Sequence, residues 1–325
     1  MVIEALIKIG LVLFVVLTAV SYTVLLERWI SAWIQDRIGP NRVGPLGLLQ
    51  PLADVLKLLL KEDIEPALAQ SWFHWVAPVI SIVIAFSTLS IIPFGHTLTI
   101  GGSTYTMTIA SGINIGVLLI VALTSVGVYG ITLAGWSSGS KYSLLGGLRS
   151  SAQMISYELT LGLGLLSVVM LTGSLDLNTI IASQANGTWN ILRAPLGFLL
   201  FLVSSFAETN RQPFDLPEAE PELVGGYHTE YSSMKFALFF LAEYANIITA
   251  SAVMTVLFLG GWHVPFVETL GLPETALGVI GLLAFALKVL GLIFVFIWVR
   301  WSIPRFRYDQ LMNLGWKVLL PLGIL

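Results

Sequence analysis

The chain has 325 residues, of which 56% are hydrophobic and 11% are charged, and its formal net charge is −3. Soluble domains carry about 25% charged residues, so this composition excludes an ordinary soluble protein and indicates an integral membrane protein. The composition also argues against nucleic-acid binding, because phosphate recognition requires a clustered basic surface rather than scattered Lys and Arg.

The residues that commonly hold redox cofactors are missing from the sequence. The chain has no cysteine, which excludes disulfides and thiolate-bound iron–sulfur clusters. Its four histidines, His74, His96, His228 and His263, are far apart in the sequence, so we expect no metal or haem site. Nucleotide-binding glycine motifs are also missing. Any electron chemistry must therefore belong to partner subunits.

Apolar segments predict an all-α polytopic membrane protein that forms a single transmembrane domain over residues 1–325. A bilayer core about 30 Å thick needs about 20 apolar residues as a helix. The candidate spans are 5–26, 73–92, 114–134, 152–171, 194–207, 234–259 and 276–299. The fifth is short, and an eighth, 311–325, is expected to be a span cut short, which gives about eight. Because the first lacks a small-residue cleavage site, we expect a retained helix rather than a signal peptide.

Positive charges predict the orientation, because loops rich in Lys and Arg stay on the cytoplasmic side. The loops after the first, third, fifth and seventh spans contain most of these residues, whereas the opposite side has Lys8 and Arg193. We therefore expect an N-terminus outside and an acidic loop on the cytoplasmic side. The residues on the cytoplasmic side are Arg28, Arg37, Arg42, Lys57, Lys61, Lys141, Arg149, Arg211, Lys235, Arg300, Arg305 and Arg307.

Two connecting segments have patterns of their own. In residues 97–108, polar and apolar residues alternate around a Gly-Gly pair. This pattern fits a small external hairpin, and an irregular loop fits it about as well. Residues 51–63 predict an amphipathic helix with Asp54, Lys57 and Lys61 on one face and leucines on the others. Such a helix lies along the membrane surface. It serves either as an anchor or, through Asp54 and Lys57, as the mouth of a pocket for an amphiphilic ligand.

An acidic loop over residues 207–233 follows the fifth span. Six of the nineteen acidic residues of the chain fall between Glu208 and Glu230. Crowded carboxylates raise one another's pKa, and this favours proton handling. The six are Glu208, Asp215, Glu218, Glu220, Glu222 and Glu230.

Three ionisable residues, Glu158, Glu243 and Lys288, lie inside predicted spans, where each costs on the order of 3 kcal/mol or more unless it is paired or hydrated. Polar residues at helical spacing accompany both glutamates, which favours hydrated helix faces and a proton relay. The alternative is that these groups hydrogen-bond neighbouring helices to one another. The accompanying residues are Ser150, Gln153, Tyr157 and Thr160 around Glu158, and Asn246 and Thr249 after Glu243.

Several motifs, in order and over nearly the whole chain, resemble the NADH dehydrogenase subunit 1 family of respiratory complex I. They are Asp36-Arg-Ile-Gly-Pro-Asn-Arg-Val-Gly-Pro45, Gln50-Pro-Leu-Ala-Asp-Val-Leu-Lys57, Gly135-Trp-Ser-Ser, Lys141-Tyr-Ser-Leu-Leu-Gly, Ser151-Ala-Gln-Met-Ile-Ser-Tyr-Glu158 and the acidic loop. The family's last span usually continues beyond a segment like Trp316-Lys-Val-Leu-Leu-Pro321.

The resemblance implies a membrane subunit beneath the peripheral arm, in a bacterial inner membrane or an organellar inner membrane, with quinone as substrate. It implies flavin and iron–sulfur clusters only in partner subunits. It also implies lipid, peripheral quinone-site subunits and antiporter-like membrane subunits as partners. By motif, Arg28, Asp54, Lys57, Arg300 and Arg305 are expected at the quinone access site. The acidic path is implied to include Glu158, Glu208, Glu218, Glu220, Glu222 and Glu243, and the buried Lys288 joins them as a candidate proton carrier.

Three functions remain open at this point. The first is a complex I subunit that forms the quinone-access chamber and couples quinone reduction to proton translocation. The second is the related anchor subunit of a membrane-bound hydrogenase. The third is a stand-alone ion transporter, against which the sequence has no inverted repeat of the kind that alternating access uses.

Overall fold

The computed structural model describes residues 2–95, 98–100, 103–105, 107–110, 112–185, 187–218, 220–265, 267 and 273–325. His96 therefore lies outside the described residues. Within them, the fold consists of helices and one short hairpin. In chain order the helices are α1 Val2–Ile34, α2 Gln50–Leu60, α3 Ser71–Ile91, α4 Gly116–Ser137, α5 Lys141–Thr172, α6 Leu177–Ala185, α7 Asn190–Arg193, α8 Pro195–Glu208, α9 Glu220–Leu223, α10 Ser233–Phe258, α11 Glu274–Ser302, α12 Tyr308–Asn313 and α13 Leu320–Ile324.

Six helices, α1, α3, α4, α5, α10 and α11, are long and apolar enough to cross a membrane. This confirms a helical membrane-embedded fold. Helix α8 coincides with the fifth predicted span but has 14 residues, about 21 Å at 1.5 Å per residue, which is less than a bilayer core. Pro195 lies in its first turn. Proline suits this position, because a first-turn N–H has no acceptor within the helix.

Some helices extend beyond the apolar segments that predict them. Helix α1 continues to Ile34, eight residues beyond the predicted end, and α5 begins at Lys141 rather than at residue 152. Hydropathy marks the part of a helix that matches lipid, whereas the hydrogen-bonded helix continues through polar residues that the protein itself covers. Functional side chains lie in these extensions.

The predicted hairpin is present between α3 and α4. Strand β1, Leu98–Ile100, pairs antiparallel with β2, Ser103–Tyr105, and Ile100 lies opposite Ser103. Gly101 and Gly102, which separate the strands in the sequence, lie outside the described residues. The hairpin reading of this segment is therefore confirmed over the irregular loop.

The predicted amphipathic helix is α2, and it contacts α1 and α10. None of its residues is buried. Its apolar face is uncovered within this chain, which suits a helix at a membrane surface. The exposed leucines are Leu52, Leu56, Leu59 and Leu60.

The core runs along α10, where Met254, Leu257 and Phe258 are fully buried. The acidic loop folds back onto this bundle rather than projecting from it. A Cβ atom on Gly146 of α5 would lie 2.7 Å from the backbone nitrogen of Tyr227, so only glycine permits this approach. Gly226 has a φ of +62° in a turn where a Cβ would overlap the Pro217 carbonyl. The loop is therefore held against the helices at Gly226 and Tyr227.

Candidate functional site

The first part of the site is a cavity bounded by α3, α4, α5, α8, α10 and the acidic loop, which we call the acidic cavity. Its lining includes the carboxylates of Glu208, Glu218 and Glu243. The empty volume is about 1020 Å³, counting the part open to solvent. Polar side chains also line the cavity, namely Ser81, Thr124, Ser205, Thr209, Asn210, Asn246 and Thr249. Carboxylates and hydroxyls around such a space can hold water and pass protons.

Glu158 lies beside this cavity. The hydroxyl of Ser125 donates a hydrogen bond to Glu158, and the neighbouring residue on α4, Thr124, lines the cavity. Glu158 itself does not line the cavity, but Met154 and Leu161, each about one turn away from it on α5, do.

The two predicted polar stripes have different surroundings. On α10, Glu243, Asn246 and Thr249 all face the acidic cavity, in agreement with the expected polar face. On α5, Gln153 Nε2 donates to the carbonyls of Ala207 and Phe214 at 2.8 and 2.7 Å.

The other members of the α5 stripe also have direct protein partners. Tyr157 donates to the Leu311 carbonyl at 2.9 Å, and Thr160 and Ser204 share a hydroxyl hydrogen bond of 2.6 Å. These contacts join α5 to α8 and to the C-terminal segment. The α5 stripe therefore fits the alternative role of holding helices together.

A second pocket lies between α1, α10 and α11, and we call it the arginine pocket. Arg28 and Arg300 line it, together with Glu27 and Tyr244, and its empty volume is about 450 Å³. Arg28 Nη1 lies 2.6 Å from Asp54 Oδ2, which ties the pocket to α2. The remaining lining residues are Val24, Ser31, Phe240 and Trp301.

Glu27 is the central carboxylate of the arginine pocket, and the sequence prediction missed it. Its side chain is buried, it forms an ion pair with Arg300, and it accepts a 2.7 Å hydrogen bond from the hydroxyl of Tyr244. The first apolar segment ends at Leu26, so hydropathy places Glu27 outside the span. The continuation of α1 to Ile34 puts it inside the bundle.

Arg211 joins the two pockets. It is 3% exposed and forms an ion pair with Glu243, and its guanidinium lies 4.5 Å from the ring centre of Tyr244. Burial by itself lowers the pKa of Arg211, but Glu243 and other carboxylates outweigh this and hold the pKa above its ordinary value. Arg211 is therefore a fixed positive charge between the pockets.

We refer to Glu27, Arg300, Tyr244, Arg211 and Glu243 as the buried charge network. It runs from the arginine pocket, through the Tyr244 hydroxyl and ring, to a carboxylate of the acidic cavity. Each charge of the network has an opposite charge as partner. Removing the charge of one member thus leaves another uncompensated, which is costly in a buried site.

Asp215 of the acidic loop lies close to this network and is 8% exposed. Burial, followed by the nearby charge of Glu218, raises the pKa of Asp215 to about 7, while Arg305 and Arg300 oppose the shift. This carboxyl can change its charge near neutral pH. Arg305 is half-buried beside it, so a basic residue expected at the quinone access site lies next to a loop carboxylate.

Two other predicted site residues, Glu222 and Lys57, do not join these groups. Glu222 is exposed and its carboxylate lies 2.6 Å from Arg149 Nη1, and this hydrogen bond lowers the pKa of Glu222. The side chain of Glu220 lies outside the described part of the structure. Lys57 is exposed on α2, one turn after Asp54. Crowding in sequence thus does not bring all of the loop's carboxylates into one cluster.

Lys288 has a different environment from the carboxylates. Its ammonium donates to the carbonyls of Leu259, Gly261 and His263 at 2.8 to 2.9 Å and lies 4.8 Å from the ring centre of Trp189. Three carbonyl acceptors match the three N–H donors of an ammonium group. Lys288 therefore caps the end of α10, and the structure does not bring it into contact with the acidic cavity.

A family model described as NADH dehydrogenase matches residues 7–325. The chain belongs to the NADH dehydrogenase family. This confirms the resemblance carried by the sequence motifs, and the match extends over both pockets and the acidic loop.

Relatives within the NADH dehydrogenase family are similar along nearly their whole length. The chain is 54% identical to an NADH-quinone oxidoreductase subunit of Koribacter versatilis, over 98% of this chain and 94% of the relative. It is 51% identical to an NADH-quinone oxidoreductase subunit of Cytophaga hutchinsonii, over 95% and 90% of the two chains. NADH-quinone oxidoreductase subunit 8 of Rhodothermus marinus is 54% identical, over 97% and 92%.

Proposed function

We propose that this chain is the membrane subunit of a proton-pumping NADH–quinone oxidoreductase, respiratory complex I. In this role it admits quinone and couples quinone reduction to proton translocation. The observation that carries the proposal is the buried charge network, which links a pocket at the end of α1 with a carboxylate-lined cavity inside the bundle. The relatives' names favour this function over a hydrogenase anchor and over a stand-alone transporter.

The arginine pocket is the proposed quinone access site. Arg28 and Arg300 line a space between three helices. Asp54 pairs with Arg28 from α2, whose exposed apolar face is available for a hydrophobic quinone tail. Guanidinium groups can donate hydrogen bonds to quinone carbonyls. Lys57, exposed on α2, and Arg305, near Asp215, are further positive charges in this part of the chain. Flavin and iron–sulfur clusters in partner subunits supply the electrons.

Quinone reduction is coupled to proton transfer because each buried charge of the network is stabilised by an opposite charge beside it. A quinone that accepts two electrons is negatively charged until it takes up two protons and becomes a neutral quinol, so negative charge develops transiently near Glu27 and Arg300 during turnover. The Tyr244 hydroxyl and Arg211 connect that change to Glu243. An uncompensated charge in a buried site favours proton uptake or release by its neighbours. Glu208, Glu218 and Glu158, around the acidic cavity, then carry the proton onward.

The assembly that this function requires has two sides. Peripheral quinone-site subunits cover the end of the bundle that carries the acidic loop, and antiporter-like subunits receive the proton signal within the membrane. The positive-inside rule places that end in the cytoplasm and the N-terminus outside. In a bacterium the membrane is the inner membrane.

The test is a neutral substitution of Glu208 in the assembled complex. In proteoliposomes, Glu208→Gln is expected to lower proton pumping per quinone reduced, because an amide cannot accept and release the proton at this position. Asp309→Asn is the matched control, since Asp309 is an exposed carboxylate paired only with the exposed Arg307 among the described ion pairs. If Glu208→Gln leaves pumping and quinone reduction at the level of Asp309→Asn, the coupling role is wrong.

A further inference from the structure

We infer that Ser233 and Lys235, at the start of α10, are positioning residues that hold the end of α2 and thereby set the geometry of the quinone mouth. That these residues hold the end of α2 is an inference from the structure alone. That they thereby set the geometry of the quinone mouth rests on the proposed function of the arginine pocket. We call the contacts between residues 58–65 and residues 232–235 the clasp.

Ser233 caps a helix to which it does not belong. Its hydroxyl oxygen lies 3.0 Å from the carbonyl oxygen of Leu58 and 2.9 Å from that of Lys61. The last four carbonyls of a helix have no partner within the helix. The Ser233 hydroxyl donates to these carbonyls at the end of α2, so the start of α10 satisfies an acceptor that α2 leaves unpaired.

The backbone of Ser233 is strained at this point. Its φ is +51° and it is 5% exposed. A non-glycine residue keeps such a conformation only where its surroundings determine it strongly, and such residues cluster at functional positions. Glycine would adopt this φ more easily but has no hydroxyl to cap α2. The serine therefore indicates that the capping contact matters.

Lys235 adds an ionic contact to the same junction. Its side chain is 1% exposed, and its ammonium lies 3.1 Å from Asp63 Oδ2 and 3.7 Å from Glu65 Oε2. The ring centre of Trp75 lies 4.4 Å away. A buried cation requires opposite charge beside it. The two carboxylates of the segment after α2 supply that charge, so this segment is fixed against the start of α10.

A backbone hydrogen bond completes the clasp. The Ile64 nitrogen donates to the Ser232 hydroxyl oxygen at 2.9 Å. Hydroxyl, ionic and backbone contacts thus join the same two segments, and Ile64 and Ser232 are 168 positions apart in the sequence. Within this junction, α2 cannot move relative to α10 without breaking several of them.

The clasp connects α2, which borders the arginine pocket, with α10, which carries Glu243 of the acidic cavity. On α2, Asp54 is one turn before Leu58 and holds Arg28 at the arginine pocket. On α10, Glu243 is ten residues after Ser233, about 15 Å along the helix. Helix α10 also begins where the acidic loop ends. A displacement of the loop or of α10 is therefore transmitted to the helix that borders the quinone mouth.

The experiment uses the assembled complex carrying Ser233→Ala, Lys235→Met or Lys235→Arg. Lys141→Met is the matched control, because Lys141 is exposed at the start of α5. Two quantities are measured: amide hydrogen exchange of residues 50–60 by mass spectrometry, and the KM and kcat for a quinone. Ser233→Ala keeps every charge, so it decides the outcome if Lys235→Met fails to assemble.

We expect faster exchange in residues 50–60 for Ser233→Ala and Lys235→Met than for Lys141→Met. The KM for quinone should rise by about 2- to 10-fold, as for the loss of one hydrogen bond, with a smaller change in kcat. Lys235→Arg should restore both quantities in part. Unchanged exchange in residues 50–60 overturns the clasp, whatever the activity.

Faster exchange in residues 50–60 with an unchanged KM overturns the link to the quinone mouth. These outcomes are distinct from a failure of the proposed function. That function is tested by proton pumping in Glu208→Gln, because Glu208 lines the acidic cavity and makes none of the clasp contacts.

Discussion

The hydroxyl of Tyr244 donates a 2.7 Å hydrogen bond to Glu27, and the ring of the same tyrosine lies against the guanidinium of Arg211. One side chain therefore contacts a carboxylate of the arginine pocket and the cation that pairs with Glu243. Since Glu27 lies on α1 and Tyr244 on α10, the contact also joins two spans. Tyr244 is the point where the two pockets meet.

Removal of this hydroxyl should weaken the link without removing a charge. Tyr244→Phe leaves one acceptor position of the buried Glu27 without its donor, at a cost of about 1–3 kcal/mol. We expect slower quinone reduction and lower pumping efficiency in proteoliposomes. Tyr129→Phe is the control, because that tyrosine is 64% exposed. Equal effects of the two substitutions would contradict a specific role for Tyr244.

Assembly should require that Arg211 and Glu243 are either both charged or both neutral. Arg211→Met leaves Glu243 as a buried charge without its partner, which costs about 3–5 kcal/mol. We expect less assembled complex and a lower midpoint of thermal unfolding. Adding Glu243→Gln to Arg211→Met removes the uncompensated charge and should restore assembly in part. A double variant that assembles no better than Arg211→Met would refute this account of the pair.

Asp215 should make stability depend on pH. Its pKa is about 7 in the folded protein and has an ordinary value of 3.8. Between about pH 4 and pH 7 the folded protein therefore binds more protons than the unfolded chain, so this residue's contribution to stability falls as the pH rises. Asp215→Asn mimics the protonated carboxyl and removes this dependence.

The thermal unfolding midpoint of the Asp215→Asn complex, relative to that of the wild type, should accordingly increase as the pH rises toward about 7, the pKa of Asp215. This difference between the two midpoints should become constant at higher pH. Measuring both proteins at several pH values across this window isolates the residue, since other titrating groups are common to both. A difference that is independent of pH would show that Asp215 does not titrate there.

Lys288 should affect folding rather than coupling. Lys288→Met removes the donor that three carbonyls at the end of α10 share, so we expect less assembled complex and a lower unfolding midpoint. In the complex that does assemble, protons pumped per quinone reduced should stay at the wild-type value. A fall in this ratio would return Lys288 to the proton path that its position in a span first suggested.

Local patterns determined much of this protein. Each long span follows from its own hydropathy, because transfer to lipid depends on the segment itself. The hairpin around the Gly-Gly pair and the amphipathic α2 follow from short periodic patterns as well. The motifs on these segments were enough to indicate the NADH dehydrogenase family, which the family comparison confirms.

Only the tertiary structure decided which charged residues meet. Glu27 and Arg300 are 273 positions apart, and no periodic pattern relates them. Arg211 counts in the sequence as one more positive charge in a loop, yet it is buried against Glu243. Glu208 and Glu222 belong to one acidic run, but one lines the acidic cavity and the other is exposed beside Arg149.

The physical reason is that hydropathy and periodicity depend on neighbours along the chain, whereas burial and pairing of charge depend on neighbours in space. The sequence by itself therefore determined the membrane spans, the surface helix and the family. Packing of α1, α10, α11 and the acidic loop decided that Glu27, Tyr244, Arg211 and Glu243 form one connected network. The same packing placed Lys288 among backbone carbonyls instead.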